Sequence, residues 1–165
     1  MSDGVHYAKV LTVSDGVVAG VREDRSGVAL VAQLREAGFE VVEHRLVSDG
    51  VEEVSNALSY MAYGFNGLIV TTGGTGFGPR DLTPEATKRI LDRSAPGFAE
   101  AMRAVNPLGR LSRNIAGIRG ASLVLNTPGS PSGAVEMLAA VLDVVPHAID
   151  LMAGQSGGHP TGAGD

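Results

Sequence analysis

Cysteine is absent from all 165 residues. That excludes a disulfide framework, a thiolate nucleophile and a cysteine metal site. Tryptophan is absent too and aromatic residues make up only 4%, so the core must be built mainly from Val, Leu, Ile and Ala. No apolar run is long enough to span a bilayer, and Met1-Ser2-Asp3-Gly4 has no signal-peptide character. A cytoplasmic protein without membrane contact is the expectation. Basic residues are in deficit, 13 against 18 acidic, for a formal charge of −5. This argues against a nucleic-acid-binding surface but leaves room for a small anion held by backbone N–H groups. The arginines are dispersed and read as a solvated face. The four histidines, His6, His44, His147 and His159, share no metal-ligand spacing and read as structural or surface residues. The length suits one domain, residues 1–152. From Ala153 onward Gly, Ser, Pro and Thr dominate, and residues 153–165 read as a disordered tail.

What the chain does have is glycine, 23 residues of it, much of it in loops after apolar runs. The stretch Thr71-Thr72-Gly73-Gly74-Thr75-Gly76-Phe77-Gly78-Pro79-Arg80-Asp81-Leu82 follows the buried-strand sequence Gly67-Leu68-Ile69-Val70. It opens into a helix, with Thr83 suited to N-cap it and Pro84 to its first position. Strand, glycine loop and helix N-terminus together make an anion site, because unpaired N–H groups point outward there. The loop is not a Walker A sequence, since no Gly-Lys-Ser or Gly-Lys-Thr ends it. Nor is it the dinucleotide fingerprint, since it follows the third strand.

Strands are expected at residues 8–13, 40–46, 68–71, 115–119 and 122–127, the last two as a hairpin. Helices are expected at residues 27–36 (capped by Ser26), 51–63, 84–91 and 98–105. A long helix opened by Pro128-Gly129-Ser130-Pro131 should run to residue 152, kinked at Pro146. Residues 17–25 read as a loop, and Ser112-Arg113 as part of a short turn or helix at the ligand edge. Alternation of strands with helices predicts an α/β fold with a mostly parallel sheet. Ser14-Asp15, Asp49, the glycine loop, and Asn126 with Pro128 to Ser130 each follow a strand, so parallel strands would bring all four groups to one edge. There Asp15, Asp49 and Asp81 suit a Mg²⁺ ion shared with phosphates, and Arg80 suits an anion.

The stretch from Thr71 to Gly76, followed by Arg80-Asp81-Leu82-Thr83-Pro84-Glu85-Ala86-Thr87, closely resembles the molybdopterin adenylyltransferase family (MogA/MoaB proteins, related to domains of gephyrin and plant Cnx proteins). The resemblance runs over residues 10–151. It takes in Val13-Ser14-Asp15, Asp24-Arg25-Ser26-Gly27, Ser48-Asp49, Pro96-Gly97-Phe98, Leu111-Ser112-Arg113 and Asn126-Thr127-Pro128-Gly129-Ser130-Pro131. It implies a three-layer α/β/α fold with a mostly parallel sheet and a small antiparallel part, assembled as a homotrimer or in some members a hexamer. The implied reaction is Mg²⁺-dependent transfer of AMP from ATP to the terminal phosphate of molybdopterin, with release of pyrophosphate. The product would pass to a molybdate-inserting enzyme. Asp81 and Asp49 are the implied catalytic and metal residues. The implied nucleotide- and molybdopterin-binding set is Ser14, Asp15, Thr72, Gly73, Gly74, Thr75, Gly76, Arg80, Ser112, Arg113, Asn126, Pro128, Gly129 and Ser130. One departure is Gly16, where many members carry arginine; it motivates the alternative of a non-catalytic molybdopterin- or nucleotide-binding protein of the MoaB branch.

Overall fold

A computed structural model describes residues 4–154. In chain order the elements are β1 (Tyr7–Val13), α1 (Asp15–Val18), α2 (Arg25–Glu36), β2 (Glu40–Val47), α3 (Val51–Ala62), β3 (Gly67–Thr72), α4 (Thr83–Ile90), β4 (Arg93–Ser94) and α5 (Pro96–Ala104). A 3-10 helix (Pro107–Leu111), β5 (Ala116–Arg119), β6 (Ser122–Thr127), α6 (Pro131–Ala139) and α7 (Val145–Met152) follow. One sheet of order β2-β1-β3-β6-β5-β4 joins the strands. β2, β1, β3 and β6 are mutually parallel; β5 runs antiparallel to both β6 and β4. This is the expected mostly parallel sheet with a small antiparallel part.

The apolar strand runs divide between the two faces because successive side chains alternate. Val10, Leu68, Val70, Leu123 and Leu125 pack with Leu30, Leu34, Met102, Leu138 and Val145 of α2, α5, α6 and α7. Leu11, Ile69 and Val124 pack on the other face with Val54, Leu58, Met61, Ala86 and Ile90 of α3 and α4. Two layers of helix therefore enclose the sheet, and β3 and β6 are buried along their whole length. Among the described residues no helix is long and apolar enough to cross a membrane.

The structure corrects several local expectations. Residues 17 and 18, expected in a loop, lie in the short helix α1, because Ser14 Oγ accepts from Val17 N and starts a turn. Asp24, not Ser26, caps α2: its carboxylate accepts from Gly27 N at 3.0 Å, and Ser26 is buried inside the first turn. Thr83 is the first residue of α4 rather than its cap, and its hydroxyl donates to Gly73 O at 2.9 Å, tying the helix to the glycine loop. The helix expected to run to residue 152 is broken into α6 and α7, with Pro146 in the first turn of the second. That is the position where proline, lacking an N–H, is tolerated. The two-residue β4 is too short to show a period and has no counterpart among the expected strands. Of the expected tail, Ala153 caps α7; residues 155–165 lie outside the described residues.

Candidate active site

Parallel pairing of β1, β2, β3 and β6 puts the turns that follow them on one edge. In the order β2-β1-β3-β6 the chain leaves β1 toward β2 and leaves β3 toward β6, on opposite sides, and open α/β sheets form ligand crevices at such a reversal. A cavity of about 990 Å³ lies at that edge. Its walls include, from the expected set, Ser14, Asp49, Thr72, Gly73, Gly74, Thr75, Gly76, Asp81, Ser112, Pro128, Gly129 and Ser130. Asp15, Arg80, Arg113 and Asn126 do not line it.

The glycine loop is shaped by what surrounds it. Gly73 and Gly74 have φ of +98° and +70°, a region open to glycine but strained for other residues. Asp49 Oδ1 would lie 3.2 Å from a Cβ on Gly74, and Asp81 Oδ2 3.0 Å from one on Gly76. The loop thus passes both carboxylates with no side chain in between. Gly78 N donates to Asp81 Oδ2 at 2.8 Å, fixing that side chain. The loop is anchored to the neighbouring turn by Gly73 N donating to Thr127 O (3.1 Å) and Thr72 Oγ1 donating to Pro128 O (2.8 Å). Ser130 caps α6 as expected, accepting from Gly133 N, with Pro131 in the first turn. The N-terminal ends of α4 and α6 therefore both lie at this edge.

The charged groups outside the cavity hold its walls. Asp15 N donates to Asp49 Oδ2 (3.0 Å) and Asp49 N to Asp15 Oδ1 (3.2 Å), a reciprocal clasp between the ends of β1 and β2. Arg80 closes it from the glycine loop, donating to both Asp15 oxygens (2.6 and 3.0 Å) and to Asp49 O (2.8 Å). Arg80 is thus committed to Asp15, not to its neighbour Asp81. Its hydrogen bonds hold the Asp15 carboxyl below the ordinary range. Burial pushes Asp49 the other way, and the nearby carboxylates of Asp15 and Asp81 add to the rise. Arg113 donates to Gly76 O, Asp81 O and Glu85, bracing the loop against α4 and holding the Glu85 carboxyl low.

Asn126 is fully buried below the edge. Its amide donates to the hydroxyls of Thr71 and Thr87, both at 3.0 Å, and its oxygen accepts from Ile115 N. It joins β3, α4 and the entry to β5. We predict that Asn126→Ala costs about 3 kcal/mol in urea denaturation, because three hydrogen bonds of a fully buried amide are lost together. KM for any cavity ligand should be unchanged in the folded fraction.

Sequence reasoning missed a polar cluster behind the α2 wall. Thr12 Oγ1 donates to Asp24 (3.0 and 3.1 Å), and His44 Nε2 lies 2.8 Å from Asp24 Oδ2 and 3.1 Å from Thr12 Oγ1. A Cβ on Gly27 would meet all three side chains within 2.5 Å, so only glycine fits there. Thr12 and Asp24 line the cavity, as do Arg22, Arg25 and Ser26 ahead of and in α2, and Leu108 and Leu111 of the 3-10 helix. The spacing of Asp24 three residues before Gly27 was the available signal for the cap; nothing local marks His44.

An anion could meet N–H groups of the glycine loop and of two helix starts here, beside two carboxylates. A divalent cation fits the same place. Among the described residues no group of three or more His, Cys, Asp or Glu forms a protein cage, but Mg²⁺ needs only one or two carboxylates when phosphates and water complete its shell. The Asp49 carboxyl is raised first by burial and then by Asp15 and Asp81, and a cation there would relieve the carboxylate part of that rise.

Fold and site together define an open-sheet α/β protein with a ligand crevice at the carboxyl edge of its parallel strands. The chain belongs to the family described as the probable molybdopterin binding domain, which matches residues 9–147. It is 41% identical over 152 residues to the molybdopterin adenylyltransferase of Helicobacter pylori strain J99, covering 88% of this chain and 86% of that one. It is 38% identical to the molybdopterin adenylyltransferase of Escherichia coli K12, covering 85% and 77%. The crystal structure of the molybdopterin biosynthesis enzyme MoaB from Thermus thermophilus superposes with a TM-score of 0.86 at 46% identity, covering 92% and 98%.

Proposed function

We propose that this protein is a molybdopterin adenylyltransferase of molybdenum cofactor biosynthesis, moving AMP from ATP to the terminal phosphate of molybdopterin and releasing pyrophosphate. The observation that carries the reading is the convergence of the glycine loop, two helix N-termini, Asp49 and Asp81 on one cavity of about 990 Å³. The similarity to molybdopterin adenylyltransferases over most of the chain supports it.

The chemistry asks little of acid–base groups. A phosphate oxygen of molybdopterin attacks the α-phosphorus of ATP; the new O–P bond forms as the bond to the β-phosphate oxygen breaks, and pyrophosphate leaves. The attacking oxygen is already anionic, so catalysis reduces to alignment and charge neutralisation. Backbone N–H groups of Gly74 to Gly76, and of Gly129 and Ser130 in the turn after β6, would hold the phosphates. Asp49 and Asp81 are the residues that would hold Mg²⁺, which would supply positive charge to offset that of the phosphates. The reciprocal clasp of Asp15 and Asp49, locked by Arg80, keeps Asp49 in place while the two polyanions approach. The same reading carries a homotrimeric assembly, delivery of product to a molybdate-inserting enzyme, and a cytoplasmic setting.

Incubation of the full chain with molybdopterin, ATP and Mg²⁺ should release one pyrophosphate per adenylylated pterin. No release would sink the enzyme reading. Tight pterin binding without ATP dependence would establish the second reading, a non-catalytic binder, which Gly16 at the Ser-Asp turn favours.

A further inference from the structure

The walls of the cavity are acidic. Glu23, Asp24, Asp49, Asp81 and Glu136 line it, against only two guanidiniums, Arg22 and Arg25. A polyphosphate entering such a space needs cationic partners, because like charges in a cleft repel strongly. The arginines expected at this edge do not supply one. Arg80 is bound bidentate to Asp15, and Arg113 to Glu85 and two loop carbonyls. Arg25 pairs with Glu23 at 3.3 Å. Among the described residues the side chain of Arg22 has no hydrogen-bond or ion-pair partner.

Arg22 is also held in place. Val21 N and Arg22 N both donate to the carbonyl of Gly16, at 3.0 and 3.2 Å, so the segment is pinned across α1. The side chain then lies over the bare α-carbon of Gly16: a Cβ there would sit 3.4 Å from Arg22 Cβ, 3.7 Å from its Nε and 3.8 Å from Ser14 Oγ. The Arg22 stem and the Ser14 hydroxyl thus flank the same bare α-carbon, and both line the cavity.

We propose that Arg22 is the anion-binding guanidinium of this cavity, receiving a phosphate group of the substrate beside Ser14. This deepens the adenylyltransferase reading and rests on it for the identity of the substrate, but not for the anion contact. A guanidinium donates two parallel N–H bonds to a phosphate, which a lysine ammonium replaces only in charge. The residue acts on binding and orientation.

The test is calorimetric titration of inorganic pyrophosphate into the full chain as wild type, Arg22→Gln and Arg22→Lys, at low and at moderate salt, alongside steady-state assays of pyrophosphate release. Arg22→Gln should weaken pyrophosphate binding about tenfold, with a smaller salt dependence, and Arg22→Lys should recover part of the loss. In turnover Arg22→Gln should raise KM for the anionic substrate while kcat changes less than about threefold. Equal pyrophosphate affinity in wild type and Arg22→Gln overturns the proposal, as does absence of pyrophosphate binding by the wild type. Arg22-dependent binding in a wild type that makes no adenylylated pterin upholds the contact and overturns the enzyme reading instead.

Discussion

Asp81→Asn is expected to lower turnover by about two to three orders of magnitude while shifting the melting temperature by no more than about 2 °C. The substitution preserves shape and an acceptor oxygen. Gly78 N, which donates to Asp81 Oδ2 at 2.8 Å, can still be satisfied, and the bond from Asp81 N to Gly78 O is untouched. What disappears is a negative charge at the cavity wall, beside the glycine loop that we propose holds the phosphates. That charge is one of the two through which Mg²⁺ would be fixed, and one of those that raise the Asp49 carboxyl. Stability should therefore change little while the charge balance of the reacting centre fails. The check pairs rates of pyrophosphate release with thermal melts followed by circular dichroism. Normal turnover would remove Asp81 from the mechanism.

Asp81 reaches the cavity wall as its local sequence implies, whereas Arg80 pairs with Asp15 instead of facing the cavity. Asp81 belongs to a strand–loop–helix segment whose shape is set locally, by glycines that need positive φ and by Pro84 at a helix start. The turns after β1, β2, β3 and β6 could likewise be brought to one edge from apolar runs alone, since parallel strands carry their C-terminal turns to the same side. Side-chain partners are another matter. Arg80 meets Asp15 across 65 residues and His44 meets Asp24 across 20, and no spacing rule connects them. Asn126 sits one residue from the Pro128 turn's own strand end, yet alternation along β6 turns it into the core, where it serves Thr71 and Thr87. The 3-10 helix wall, with Leu108 and Leu111, has too few residues to show a period. Local chemistry thus indicated which backbone segments line the cavity; which side chains do so depended on packing from all sides.

Gly73→Ala should be the most damaging single-methyl change in the loop, costing about 3 kcal/mol of stability and reducing turnover of the folded fraction about a hundredfold. Gly73 has φ of +98°, and a Cβ built there would stand 2.2 Å from the carbonyl oxygen of Val13 and 3.3 Å from its carbon. Val13 closes β1, which is paired in register with β3, so the obstacle is backbone held on both sides and not a side chain that can rotate away. Relief requires the loop to lift off β1. That motion breaks the Gly73 N bond to Thr127 O and the Thr83 hydroxyl bond to Gly73 O. Both tie the loop to the Pro128 turn and to α4, so the N–H groups of Gly74 to Gly76 would lose their alignment with the second helix start. Gly97→Ala is the matched comparison: Gly97 lies in the first turn of α5, and a Cβ there meets nothing within 4 Å. That variant should be neutral or more stable by about 0.5 kcal/mol, since alanine is the better helix former. Urea denaturation of both variants with parallel rates of pyrophosphate release separates the two cases; a Gly73→Ala protein as stable and active as Gly97→Ala would show that the loop has freedom to move away from β1.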